Sequence, residues 1–357
     1  MKNYGFFALA GALGVFGVHP ALAQTCTLPP NFQATPLTDF APGQLYLNQF
    51  PGFLYTGSNT MPTDHDADGK TAAASIQPRA QSGNPSANGK IVFLAMGLSN
   101  TTIEFCGGAS FDSNGDPLAT QCLLPYNQPQ SFMAQAAADP GVNHTQMVIM
   151  DGAKGGETLD RWDPTGPNGY SNYDRVRDQV LLPNGLSENQ VQAIWVKGAE
   201  ASPTISLPAS NADAYASERY LGNIMRAIKQ RYPFARQVFL SSRIYGGYAT
   251  DCLNPEPYAY EGGFAVKWLI AAQINQQRGG GVDPVAGDLS YGRSPWLAWG
   301  PYLWASGTTP RSDGLVWLRT EMRQSDGTHP STAGEQKVAR LILNFMKTSS
   351  YTAWFRP

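Results

Sequence analysis

The sequence predicts an α/β protein built on a mostly parallel sheet with helices on both faces. Three observations carry that expectation. Four short apolar runs, at residues 91–96 (IVFLAM), 146–150 (QMVIM), 192–196 (QAIWV) and 237–240 (QVFL), have strand length with little alternation, as in strands buried on both faces. Helical spacing appears between and after them: Leu221, Ile224, Met225 and Ile228 fall at i, i+3, i+4, i+7, and residues 264–276 also read as helix. Each run ends in glycine or small polar residues, and strands alternating with helices are the pattern of a parallel sheet.

Taken in order, the chain opens on Lys2, an apolar stretch at residues 4–18, and Ala21-Leu22-Ala23, an A-x-A cleavage site. That predicts a signal peptide over residues 1–23, cleaved after Ala23, and hence a secreted or periplasmic protein without a membrane anchor. Residues 24–89 are expected to form an N-terminal extension packed on the body, with residues 90–357 as the main domain. Within the extension, Asp64-His65-Asp66-Ala67-Asp68-Gly69 has the opening of a calcium loop. The carboxylate due at its twelfth position is replaced by Ser75, so a polar, solvated loop is the favoured reading. The four cysteines, Cys26, Cys106, Cys122 and Cys252, are expected as two disulfides in an oxidising compartment, Cys106–Cys122 and Cys26–Cys252. A net charge of −2 with 15% charged residues gives no basic field, which argues against nucleic acid as a partner.

Ser99 follows the first apolar run through Gly97-Leu98, in a loop leaving the carboxyl end of a strand, where parallel sheets bind ligands. A serine hydroxyl needs a base to take its proton. After cleavage the histidines are His65, His144 and His329, and His144 reads as surface. Asp326 stands three residues before His329 in a short loop opening the last helix, where it can hold the imidazole through Nδ1 and leave Nε2 free. That helix shows a stripe of Val338, Leu341, Ile342, Phe345 and Met346, with Thr332 and Glu335 spaced as a capping box.

Gly97-Leu98-Ser99-Asn100, Gly155-Gly156 followed by Trp162, and Asp326-x-x-His329 together resemble the SGNH (GDSL-like) hydrolase superfamily. Within it they are nearest the sialate O-acetylesterase and acetylxylan esterase branch. The SSRIYGGYA and NPEPYAYE blocks are also similar to those of a set of secreted bacterial proteins. The resemblance implies a three-layer α/β/α, flavodoxin-like fold that hydrolyses esters without a metal or other cofactor. It implies Ser99 as nucleophile, His329 as general base and then acid, and Asp326 as its orienter. The oxyanion would be held by the backbone N–H of Ser99 and of Gly155 or Gly156.

The third block departs from the family. Where an Asn or Gln donor is usual, this chain has Trp195-Val196-Lys197-Gly198-Ala199-Glu200. Lys197 is therefore expected either to supply the missing oxyanion donor or to be a solvated lysine. Asn100, Trp162, Arg243 and Tyr245 are expected to bind substrate. The run at 295–304 (PWLAWGPYLW) reads as a hydrophobic plug in preference to a sugar-stacking face. The function expected is an exported serine esterase acting on small acyl esters, chiefly acetyl, on carbohydrate. Two rivals are a catalytically silent carbohydrate-binding or cell-surface protein, and a metal-dependent hydrolase using Asp64, Asp66, Asp68 and His65.

Overall fold

The computed structural model describes residues 32–107 and 128–357. The expected signal peptide lies outside the described residues, as do Cys26 and Cys122 and therefore both expected disulfide pairings. Neither Cys106 nor Cys252 is a free thiol.

The described chain begins with a short antiparallel ribbon, β1 (Leu45–Tyr46) and β2 (Phe50–Pro51), followed by helix α1 (Thr63–Ala74). Then come β3 (Ile91–Gly97), α2 (Ser99–Cys106), α3 (Phe132–Ala138), β4 (Met147–Asp151), α4 (Leu159–Trp162) and α5 (Ser171–Arg175). The rest is β5 (Val191–Lys197), α6 (Asp213–Arg231), β6 (Gln237–Ser241), α7 (Tyr258–Gln277), β7 (Trp296–Trp299) and α8 (Thr332–Thr348). Among the described residues the main sheet has the order β4-β3-β5-β6-β7, and every neighbouring pair is parallel. Counted along the chain that is 2-1-3-4-5, the flavodoxin-like order, whose ligand crevice lies beyond the carboxyl ends of the strands flanking the switch point, here β3 and β5.

Side chains alternate across the strands, so Phe93, Trp195 and Phe239 face one layer of helices while Val196 and Leu240 face the other. Phe93 packs on Phe105 of α2 and Phe132 of α3, and Phe239 packs on Phe345 of α8. On the opposite face, Val196 and Leu240 meet Leu159 of α4, Leu221 of α6 and Val266 of α7. Every residue of β3 and β5 is buried, as their unbroken apolar runs require. The 32–62 segment lies against α7 and the strand edge beside it. Tyr46 stacks on Phe264, Lys267 donates to the carbonyls of Pro51 and Gly52, and Trp299 Nε1 donates to Leu54 O.

Three local expectations are corrected. Residues 63–74 are a helix where a polar loop was expected. Asp64 and Asp66 sit in its first turn, where the exposed N–H groups favour carboxylates. Residues two apart diverge by about 200° on a helix, and each acid has its own partner. Asp64 pairs with Arg278, Asp66 with Lys70 and Tyr351, and Asp68 accepts from the Tyr291 hydroxyl. His65 is buried against the start of β7, bonded to Leu297 O at 2.7 Å and stacked on Trp296, at the sheet edge opposite Ser99. The Trp-rich run is no sugar face, and its first part is no plug: residues 296–299 are β7 itself with all four side chains buried, while Tyr302, Leu303 and Trp304 beyond it are buried too. Finally, α8 is capped without the Thr332–Glu335 box. Ser331 is its N-cap, and Glu335 accepts from Gln130.

Candidate active site

The site begins with a glycine. Gly97 ends β3 at φ +151°, and a Cβ there would sit 2.0 Å from the Lys197 carbonyl oxygen of the neighbouring strand. Only a residue without a side chain lets the two strand ends close that far. The chain then turns through Leu98 directly into α2, so Ser99 is the first residue of a helix. Its backbone N–H belongs to the first turn and has no partner within the helix.

Ser99 Oγ lies 2.8 Å from His329 Nε2, and His329 Nδ1 lies 3.1 Å from Asp326 Oδ2. With Nδ1–H donating to the carboxylate, Nε2 accepts from the serine hydroxyl; this tautomer follows from the hydrogen-bond network. The other Asp326 oxygen, Oδ1, accepts the N–H groups of Thr328 at 2.8 Å and His329 at 2.9 Å. Those bonds fix the loop that presents the ring. Gly327, at φ +64°, makes its turn possible, since a Cβ would fall 1.8 Å from Tyr248 O. Burial pushes the Asp326 carboxyl up, but the two N–H donors and the imidazole outweigh it and hold it below the usual carboxylate range. Burial also pushes His329 below the ordinary histidine value, and Asp326 opposes only part of that. The ring is thus neutral and able to accept a proton at neutral pH.

The expected oxyanion turn is attached to the same strand end. Gly97 O accepts both the Lys154 N–H at 3.2 Å and Trp162 Nε1–H at 3.1 Å. Between these anchors lies the Gly155-Gly156 turn, with Gly156 exposed at φ +76°. Trp162 is thereby corrected from substrate platform to buried anchor, 1% exposed and placed edge-on to Tyr173.

Three other expected substrate contacts are also interior. Asn100 is fully enclosed and donates to Thr328 O at 3.1 Å. Arg243 is buried behind the histidine loop, its Nη2 lying 3.4 Å from the same carbonyl oxygen. Tyr245 is buried between Tyr248 and Trp304 and donates to Phe32 O. All three sit near the strand edge that carries Ser99, as the sequence suggested, but they face inward.

Lys197 is corrected in one of its expected roles. It is 0% exposed, so it is no solvated lysine, and its ammonium donates to both carboxylate oxygens of an equally buried Glu104 on α2. The donors of that ammonium are directed at Glu104. Burial pulls Lys197 down to about 8, with Glu104 opposing and Arg243 adding to the fall. Nothing in the sequence marks Glu104. Its sequence neighbours on α2 look like an ordinary buried turn, and its partner is 93 residues away. Thr102 is a second residue not foreseen: its hydroxyl donates to Asp151, fixing α2 to the end of β4, and burial raises the Asp151 carboxyl to about 6.

No protein-family model matches the chain, and no curated protein matches it. Among solved structures, an extracellular lipase from Streptomyces rimosus aligns at 15% identity over 71% of this chain and 98% of its own, with a TM-score of 0.32. A carbohydrate esterase family 2 enzyme with a carbohydrate-binding domain, from Corynascus thermopiles (Myceliophthora fergusii), aligns at 14% identity over 74% and 68%, with a TM-score of 0.35. At these TM-scores neither likeness bears on what this chain acts on.

Proposed function

We propose that the protein is a serine esterase in which Ser99 is the nucleophile, His329 the general base and acid, and Asp326 the residue that orients the ring. The observation that carries this reading is the connected line of hydrogen bonds from Ser99 Oγ through the imidazole to the Asp326 carboxylate. His329 takes the serine proton as Oγ attacks the ester carbonyl. The developing oxyanion meets the N–H of Ser99 and of the Gly155-Gly156 turn, and the alcohol leaves with the proton returned by His329. Water, deprotonated by the same ring, then releases the acid from the acyl-enzyme. The substrate proposed is a small acyl ester, chiefly acetyl, on carbohydrate, and the protein is proposed to be exported. Among the described residues no helix is long and apolar enough to cross a membrane.

The test pairs hydrolysis of p-nitrophenyl acetate with mass analysis after treatment with a fluorophosphonate. Wild type should turn over the ester and gain one phosphonyl group on Ser99, while Ser99→Ala should lose both. Turnover by Ser99→Ala at the wild-type rate would overturn the proposal. So would a folded wild-type protein that neither hydrolyses small esters nor takes the label.

A further inference from the structure

At the sheet edge opposite Ser99, a cleft of about 350 Å³ is walled by α1, the end of α6 and the residues entering β7. Two cations line it: Lys229 of α6, and Arg236, which leads into β6. Three nearby cations have partners. Arg231 pairs with Asp174 and Glu188, Arg278 pairs with Asp64, and Arg79 donates to Gly83 O. Lys229 and Arg236, by contrast, have no ion pair and no side-chain hydrogen bond among the described residues. The Arg236 Nε is fully enclosed and lacks an acceptor. One acid shares the cleft, Asp68, and it accepts from the Tyr291 hydroxyl at 2.6 Å. Lys229 also forms part of the wall of a second cleft of about 370 Å³, lined by Arg226 and Arg293.

A buried donor without an acceptor costs free energy, and so do two like charges brought together in a partly enclosed cleft. Burial and the charge of Arg236 both push Lys229 below its ordinary value, in keeping with that cost. Among the described residues no acid pairs with either cation; an anion entering the cleft would.

We propose that this cleft is a binding site for an oxyanion, a carboxylate or phosphate borne by a small ligand or a glycan unit, held between Lys229 and Arg236. The ammonium offers a point charge with freely turning donors, and the guanidinium offers its fork, including the orphaned Nε. The site is separate from Ser99. Arg236 precedes a five-residue strand whose far end lies on the Ser99 edge, and five residues of strand span about 17 Å. It therefore does not depend on the esterase reading.

The experiment is thermal denaturation and isothermal titration of the full chain with inorganic phosphate and, separately, with D-galacturonate, at ionic strength fixed by sodium chloride. The expected result is a saturable response to at least one probe. Its affinity should fall about tenfold or more in Lys229→Met and in Arg236→Met, the effect of losing one charge-assisted hydrogen bond. The double variant should not respond at all. A response to phosphate alone assigns a phosphoryl ligand, and a response to galacturonate assigns a carboxylate. Without anion, Lys229→Met should melt no lower than wild type because it relieves a repulsion, so a folded variant exists even if Arg236→Met does not fold. Hydrolysis of p-nitrophenyl acetate should be unchanged in Lys229→Met. A response that persists undiminished in Lys229→Met, or the lack of any saturable response to either probe, overturns the site.

Discussion

Asn100 donates from Nδ2 to the Thr328 carbonyl oxygen at 3.1 Å, so the neighbours of Ser99 and His329 are bonded to each other as Ser99 and His329 are. Two adjacent dipeptides from distant parts of the chain are thus tied twice. The second tie lets the first keep its geometry, because serine and histidine side chains alone could rotate apart. In Asn100→Ala the Thr328 carbonyl keeps only Arg243 Nη2, at 3.4 Å. Stability should fall by about 1–3 kcal/mol, the cost of leaving a buried acceptor poorly satisfied. We expect kcat to fall with KM nearly constant, since no substrate contact is removed. Asn100→Asp should be worse than Asn100→Ala, because a carboxylate has no donor for a carbonyl and adds a buried charge. Urea unfolding beside kcat and KM would check this, and an Asp variant as active as wild type would refute it.

The acid limb of the pH profile should report His329. The protonated ring cannot accept from Ser99, so activity rises as the ring loses its proton. Burial holds that titration below the ordinary histidine value, Asp326 pulls it back up, and the charges of Arg243 and Arg323 push it down. The midpoint of kcat/KM should therefore lie below about 6.5, with a plateau at neutral pH. Asp326→Asn removes the upward pull, so its midpoint should move further into acid. The plateau should fall by about 10⁴-fold as the ring loses its tautomer and orientation. A wild-type midpoint above the ordinary histidine value would contradict the assignment.

The two cysteines in the described chain lie at places where a crosslink would matter. Cys106 ends the helix that Ser99 begins, and Cys252 lies in the segment next to Asp251, which accepts from the Thr328 hydroxyl at 2.9 Å. Peptide mapping without reduction should recover Cys106 joined to Cys122 and Cys26 joined to Cys252. Reduction should then lower Tm, by an amount set largely by the loops released. Free thiols at Cys106 or Cys252 in protein isolated from an oxidising compartment would refute the pairing.

What could be read from the sequence was local. The apolar run of β3, the break at Gly97 and the D-x-x-H loop each lie within a few residues, and their roles follow from spacing. The stripe on α8 was legible for the same reason. β7 was not, because its four residues sit between proline and glycine in a run of tryptophans that lacks the usual aliphatic composition of a buried strand. α1 was missed because it has no apolar stripe. It is held by acids that each find a partner far along the chain, such as Asp64 with Arg278. The inward burial of Asn100, Trp162 and Arg243 depends on carbonyl oxygens of Gly97 and Thr328, and a backbone acceptor leaves no mark in the sequence.

Lys197 and Glu104 allow the sharpest separation of structure from catalysis. Both are fully enclosed, and Arg243 places a second cation near the same carboxylate. Removing one partner of a buried pair leaves the other charge without compensation. Lys197→Met should therefore destabilise the protein by about 3–5 kcal/mol. Replacing both, as Lys197→Met with Glu104→Leu, puts apolar groups of similar volume in a closed site and should recover most of that loss. The recovered double variant then isolates the chemistry. If the pair only fastens β5 to α2, its kcat/KM for a small ester should stay close to wild type. If the ammonium also acts through space on the developing oxyanion, kcat should fall by about a hundredfold with KM unchanged, the scale of one lost oxyanion donor. The geometry favours the first outcome, because the Lys197 donors are directed at Glu104. A folded double variant with the hundredfold loss would return Lys197 to the oxyanion role that its position in the third block first suggested.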